Sequence, residues 1–417
     1  MKKRKLLKGI FVIIDGLGDL PNKQLGGDTP LESASTPNMD FLATRGKMGM
    51  QYPVKRGYSP GSDEAIVSIF GNSLINSSRG QLEAYGAGIK PSEGDLVLRL
   101  NFATIKRKGD VVDRRAGRTL KDSEAKALAK SLNKIEFPYE FKVIPTVQHR
   151  GVLLIKGDFS DQISGDDITY QKGKSEEITR IISCKPLIKG EKAKNTAEVL
   201  NEFLKLAWRV LESHPVNEIR KKKGLLPANY LLVRTPGTKK PKLKQYQNWI
   251  ATNAMPLEKG FAILSGMKNY GFNYPPLKNL DSYRTLWVGL KKKIKHTKKV
   301  IRRNIKKAEY CYVHIKETDL PGHDNKPFEK RAMIEYIDKT LMKYLVKIAP
   351  RKQIKVLVTG DHSTPCVLKN HSADPVPFLI YDGSELDKKS FGESFAKRGR
   401  LGFILGEELF RKSGFLK

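Results

Sequence analysis

Cysteine is nearly absent from this chain: Cys184, Cys311 and Cys366 stand far apart in 417 residues. Three such residues exclude a disulfide framework and a cysteine-based zinc finger, and they suit a reducing compartment. Long apolar runs are missing too. The run from Ile10 to Ile14 follows a basic lead as in a signal peptide, but Asp15 ends it without a small-residue cleavage site. It also falls far short of the ~20 residues a membrane-spanning helix needs. A first buried strand explains it better, and a soluble, cytoplasmic protein with no membrane partner is the expectation. Acidic residues are scarce against basic ones, 44 to 77, for a formal net charge of +33. A field of that sign attracts phosphates and carboxylates, on small metabolites or on nucleic acid. With 39% hydrophobic and 29% charged residues, the chain is globular and long enough for two or three domains.

Three short apolar runs share one pattern. Ile10–Ile14 stops at Asp15, Ile354–Val358 stops at Thr359-Gly-Asp361-His362, and Tyr310–Ile315 is followed by Glu317-Thr-Asp319. Runs without alternation suit strands of a parallel sheet covered on both faces, whose ligands gather at the strands' carboxyl ends. Thr36-Pro-Asn to Gly46 carries the start and stop signals of a helix, and Glu329–Ile348 has helical apolar spacing. From about Lys90 to Lys240 strand-like pieces alternate with a helix around Asn195–Ser213. The expected organisation is therefore a core of residues 1–90 and 241–417, interrupted by a smaller α/β domain of residues 91–240. The segment Lys291–Lys307 holds ten basic residues and no acid. An amphipathic surface helix is the favoured reading; nucleic-acid contact is the less favoured one, because no aromatic platform or recognised binding motif accompanies the charge.

Candidate chemistry collects near the C-terminus. Asp319 and His323 lie four apart after one strand, Asp361-His362 ends the next, and His371 follows nine residues later. Imidazole and carboxylate together suit divalent transition metals such as zinc or manganese. Asp15 contributes to the same sheet edge. Ser62, in Ser59-Pro-Gly-Ser-Asp-Glu64, begins a helix whose free N–H groups and dipole favour a phosphate or an alkoxide. Alone it reads as a plain helix cap; a nearby metal would lower its hydroxyl pKa and make it a nucleophile.

These segments, with Thr29–Asp40, Arg79–Gly88, Asn101–Thr104, Asp113–Arg118, His314–Asp324 and His371–Phe378, resemble the archaeal-type 2,3-bisphosphoglycerate-independent phosphoglycerate mutases of the alkaline phosphatase superfamily. The resemblance implies an alkaline-phosphatase-like core with a mostly parallel sheet flanked by helices, and an inserted substrate-binding domain. It implies two divalent ions, one on Asp319, His323 and His371, the other on Asp15, Ser62, Asp361 and His362. Manganese is expected, with zinc, cobalt or magnesium as alternatives, and no 2,3-bisphosphoglycerate is needed. Ser62 would carry the phosphoryl group as 3-phosphoglycerate and 2-phosphoglycerate interconvert, a step of glycolysis and gluconeogenesis. Asp113 would act as acid or base toward the glycerate, and Lys259 lies near the place of a catalytic lysine. Arg114, Arg115 and Arg118, with Arg150 and Arg234 as weaker candidates, would hold the small phosphorylated carboxylate. Another phosphotransferase or phosphatase on the same core is the alternative. Between about Pro256 and Lys307 the chain departs from the family pattern.

Overall fold

The computed structural model describes residues 6–415 apart from 168–169, 172–173, 176–178, 385–386 and 388–389. Its larger sheet contains β1 (Gly9–Ile14) and β2 (Gly46–Tyr52) from the start of the chain. The chain then departs into β3 (Leu96–Ile105), β4 (Val111–Asp113), β5 (Phe141–Pro145), β6 (Arg150–Ile155), a short hairpin β7 (Tyr170–Gln171) and β8 (Lys174–Ser175), and β9 (Tyr230–Gly237). It returns to the larger sheet with β10 (Trp249–Ala251), β11 (Lys268–Asn269), β12 (Tyr310–Ile315), β13 (Lys355–Thr359), β14 (Val376–Tyr381) and β15 (Phe403–Leu405). The larger sheet runs β11-β10-β12-β1-β13-β14-β2-β15, with β14 alone opposed to the other strands. The second sheet, β4-β3-β6-β5 with β9 also on β3, is antiparallel throughout.

Every residue of β1 is buried, as its apolar run demands of a central strand with helices on both faces. One face packs against α1 (Pro37–Ala43) and against later helices through Leu290, Ile301 and Met333. The other packs on α2 (Ser62–Ile69), α3 (Arg79–Gly86) and a later helix over Pro256–Leu264, around Phe11, Phe70 and Phe261. The second sheet has its own apolar core beneath α4 (Asp122–Leu132), α5 (Glu191–Glu212) and α6 (Pro215–Lys222). Then come α7 (Pro256–Leu264), α8 (Ser282–Asn304), the short α9 (Asp319–His323), α10 (Pro327–Ile337) and α11 (Lys343–Lys352).

Two sequence expectations are corrected here. The first helix stops at Ala43, and Gly46 already opens β2. The single helix expected over Glu329–Ile348 is interrupted by a wide π turn at Asp338–Met342. The buried Asp338 carboxylate accepts the N–H groups of Asn38 and Met39, so the widened turn caps the start of α1. No apolar periodicity reveals such a turn.

A candidate two-metal phosphoryl-transfer site

The carboxyl end of the parallel strands gathers the acidic groups. Asp15 follows β1, and Asp361 and His362 follow β13, its neighbour. The Gly16 N–H donates to Asp361 Oδ1 at 3.0 Å, so a tight turn with positive φ at Gly16 fixes one carboxylate against the other. His362 Nε2 lies 3.4 Å from Asp15 Oδ1 and 3.5 Å from Asp361 Oδ2. His314, on β12, points its Nε2 at Asp15 Oδ2 from 2.9 Å and is braced behind by the Tyr312 hydroxyl. All of these side chains are buried.

A second group stands beside the first. His323 Nε2 and His371 Nε2 approach Asp319 at 3.5 and 3.6 Å. Each ring donates its Nδ1–H to a carbonyl, Lys369 O for His323 and Pro60 O for His371. That orients each ring with Nε2 turned toward Asp319, an arrangement suited to a cation held among the three side chains. The His362 and His371 rings stack at 3.7 Å between centroids, joining the two groups.

Both groups fit divalent ions. Asp15, Asp361 and His362 each offer a donor atom within 4.8 Å of the others, as do Asp319, His323 and His371. Asp15 Oδ1 and Asp361 Oδ2 are buried and accept no hydrogen bond. Burial raises the pKa of both Asp15 and Asp361, but at Asp15 the Lys316 ammonium, the His314 hydrogen bond and His362 together outweigh it and hold that carboxyl below the usual range. Asp361 is driven well above, by burial and then by the charge of Asp15. The cluster thus holds more carboxylate than one lysine balances, and transition-metal dications suit its mixed oxygen and nitrogen donors.

Ser62 is the first residue of α2. Gly61 caps that helix, with its N–H held by the Glu64 carboxylate at 2.9 Å. Ser62 Oγ lies 3.3 Å from His362 Nε2 and accepts from Lys316 Nζ at 3.0 Å. The ammonium of Lys316 also touches Asp15 Oδ2 and lies 3.5 Å from Glu258 Oε1. Ser62 opens onto a cavity of about 120 Å³ whose lining is rich in cations, with Arg79, Arg99, Arg114, Arg150 and Arg234. His149 stands among them; burial and then the charge of Arg150 push its pKa well below the ordinary value, so its imidazole is neutral.

The residues expected from sequence divide accordingly. Asp15, Ser62, Asp319, His323, Asp361, His362 and His371 meet at one edge, and Arg114, Arg115, Arg150 and Arg234 line the cavity. Arg118 does not line it: it grips Asp324 with both carboxylate contacts, at 2.6 and 2.7 Å, at an adjoining opening. Asp113 turns away as well. Its Oδ1 accepts the N–H groups of Arg115 and Gly117, which shapes the turn presenting the arginines. Lys259 lies one residue beyond the α7 segment that reaches the cavity, and Lys316 is the lysine at Ser62. Sequence reasoning missed His314, Lys316, Glu258 and Arg99. Lys316 had a signal, since it directly follows a buried strand ending at the acidic edge; Glu258 had none.

A family model described as 2,3-bisphosphoglycerate-independent phosphoglycerate mutase matches residues 43–217. A relative of that name from Thermococcus kodakarensis is 40% identical over 421 residues, covering 98% of this chain and 96% of its own. One from Methanocaldococcus jannaschii is 35% identical and covers 99% and 97%. A solved structure from Pyrococcus horikoshii superposes with a TM-score of 0.76 at 31% identity, over 99% of both chains. The cofactor-independent phosphoglycerate mutase of Thermoplasma acidophilum gives a TM-score of 0.56 at 29% identity, over 98% and 99%. This chain belongs to the 2,3-bisphosphoglycerate-independent phosphoglycerate mutases.

Proposed function

We propose that this enzyme interconverts 3-phosphoglycerate and 2-phosphoglycerate through a phosphoserine at Ser62, without 2,3-bisphosphoglycerate. One observation carries the reading: the hydroxyl of Ser62 lies against His362 of one candidate metal group and shares a cavity with Asp319, His323 and His371 of the other and with several arginines. Asp319, His323 and His371 would hold one divalent ion, and Asp15, Asp361 and His362, with Ser62, the other. Bound ions would supply charge to the transferring phosphoryl oxygens and lower the pKa of the serine hydroxyl. Manganese is our expected ion.

The chain's own groups supply the rest. Lys316 keeps a hydrogen bond on Ser62 Oγ, which stabilises negative charge as that oxygen leaves or attacks. Arginine forks retain the glycerate carboxylate while the molecule turns, since their planar donors pair bidentately with it. Residues 91–240 would act as the substrate-binding domain, closing over the cavity and keeping water from the phosphoserine. The same fold could release phosphate instead if water entered. Incubation of the manganese-loaded enzyme with 3-phosphoglycerate should give 2-phosphoglycerate with little free phosphate; phosphate as the main product would replace the mutase reading by a phosphatase.

A further inference from the structure

We propose that the outer face of α8 is a docking surface for double-stranded nucleic acid, held through its phosphate backbone and separate from the mutase chemistry. The helix is sharply two-sided. Leu290, Ile294, Val300 and Ile301 are buried in the core beneath it. On the opposite side Arg284, Lys291, Lys295, Lys299 and Arg302 are exposed. At 3.6 residues per turn these five fall within about 80° of arc and span about 27 Å, most of one helical turn of a B-form duplex.

The stripe is costly for the fold alone. No acidic residue occurs from Ser282 to Lys307, and among the described residues none of the five cations takes part in an ion pair. Like charges three and four places apart destabilise a helix. The helix dipole favours Arg302 in the last turn but offers nothing to Lys291 or Lys295 in the middle. Packing needs none of them, because they face solvent. A phosphate backbone would relieve the repulsion along the whole row. The neighbouring α11 exposes Lys343, Lys347 and Arg351, and the charge of Arg302 acts on its Tyr344, so the cationic area continues across two helices.

Charge and shape choose the occupant. An anionic membrane would gain only the electrostatic part of its usual attraction, because the apolar face of α8 is already buried and has nothing to insert. The stripe carries no row of aromatic rings on which single-stranded bases could stack. A straight row of cations fits contact with phosphates irrespective of sequence.

The test is fluorescence-anisotropy titration of the full chain with a duplex of about 20 base pairs, roughly two turns, across a salt series. Micromolar binding that weakens steeply with salt is expected. The variant K291Q/K295Q/K299Q/R302Q should bind at least about tenfold more weakly, with a salt slope reduced by about 0.9 for each phosphate that the stripe no longer neutralises, while its mutase activity stays unchanged. A control with the same charge change elsewhere, K126Q/K130Q/K194Q/K222Q, should bind as the parent does. The proposal is overturned by no binding at low salt, by equal weakening in both variants, or by a stripe that captures phosphatidylglycerol vesicles and not the duplex.

Discussion

Ser62 is an ordinary alcohol whose reactivity must come from its neighbours, and Lys316 is the nearest cation the chain supplies. Its ammonium is stabilised by Asp15 and then by Glu258, which together raise its pKa despite burial. Lys316→Met keeps the length and removes the charge. The expected result is a fall in kcat of about 10²–10³, the usual cost of losing one donor to a developing oxyanion, with the circular dichroism spectrum unchanged; a loss below tenfold would show that the lysine is not needed at the serine. Glu258 is 2% exposed, and neither carboxylate oxygen accepts a hydrogen bond, so its partner is the lysine charge. Glu258→Gln should lower kcat about tenfold, a pair energy near 1.4 kcal/mol, and leave KM nearly unchanged; a change in KM alone would assign Glu258 to substrate binding. His323→Ala should lose one metal equivalent by elemental analysis after reloading, and an unchanged count would remove it as a ligand. The gathering of Asp15, Asp361 and Asp319 was legible because each follows a buried apolar run, and parallel strands put such ends on one edge. Asp113 and Lys259 could not be placed that way. Residue type and spacing say nothing of whether a side chain turns inward or, as in Asp113, back to its own turn.

Helix placement explains why Glu258 had no sequence signal. Its position is set by the crossing of α7 with α3, and that crossing is made close by glycines lying far apart in the chain. A Cβ on Gly260 would stand 1.8 Å from Leu82 O, and one on Gly86 would stand 1.8 Å from Pro256 O. Both obstacles are backbone, so no side-chain rotation relieves them. Gly80, on the same helix, likewise lies within 2.7 Å of Val97 O in the second sheet when given a Cβ. Thus α3 is a narrow spacer between the antiparallel sheet and the helix that carries Glu258. Gly260→Ala should destabilise the protein by about 2 kcal/mol, the usual range for overpacking being about 1–3. It should also lower kcat, as Glu258 moves from Lys316. Thermal unfolding and steady-state kinetics on one preparation test both effects; an unchanged melting temperature would mean the helices separate freely. The basic segment is a different case. Of the apolar stripe expected from Ile294, Val300, Ile301 and Ile305, the first three are buried, while Ile305 caps the helix end and is half-buried. The start of α8 was not, because residues 282–290, with Tyr283 and Trp287, carry Arg284 alone and lack the dense charge that marked the rest.

At the scale of the whole molecule, one carboxyl far from the nucleophile makes part of the stability fall as pH rises from about 4.5 to about 7. Glu393 joins the C-terminal region to the loop after β1: the Asp19 N–H donates to it at 3.2 Å and the Thr29 hydroxyl at 2.7 Å. Burial pushes its pKa up to about 7, against the opposing hydrogen bond from Thr29. A folded-state value above the unfolded one means that the folded chain holds a proton the unfolded chain has released. The favourable contribution is therefore complete below about pH 4.5 and is lost as pH climbs through about 7. At about 1.36 kcal/mol per unit, that difference amounts to about 3 kcal/mol. Glu393→Gln keeps the neutral shape at every pH, with its carbonyl accepting from Asp19 and its amide free to donate to the Thr29 oxygen. The melting temperatures of the two proteins should coincide near pH 4, separate between about pH 4.5 and 7, and stay apart above that, with the glutamine variant the more stable. Parallel curves from pH 5 to 8 would show that Glu393 ionises in the folded protein as it does in the unfolded chain, and that the slope arises elsewhere.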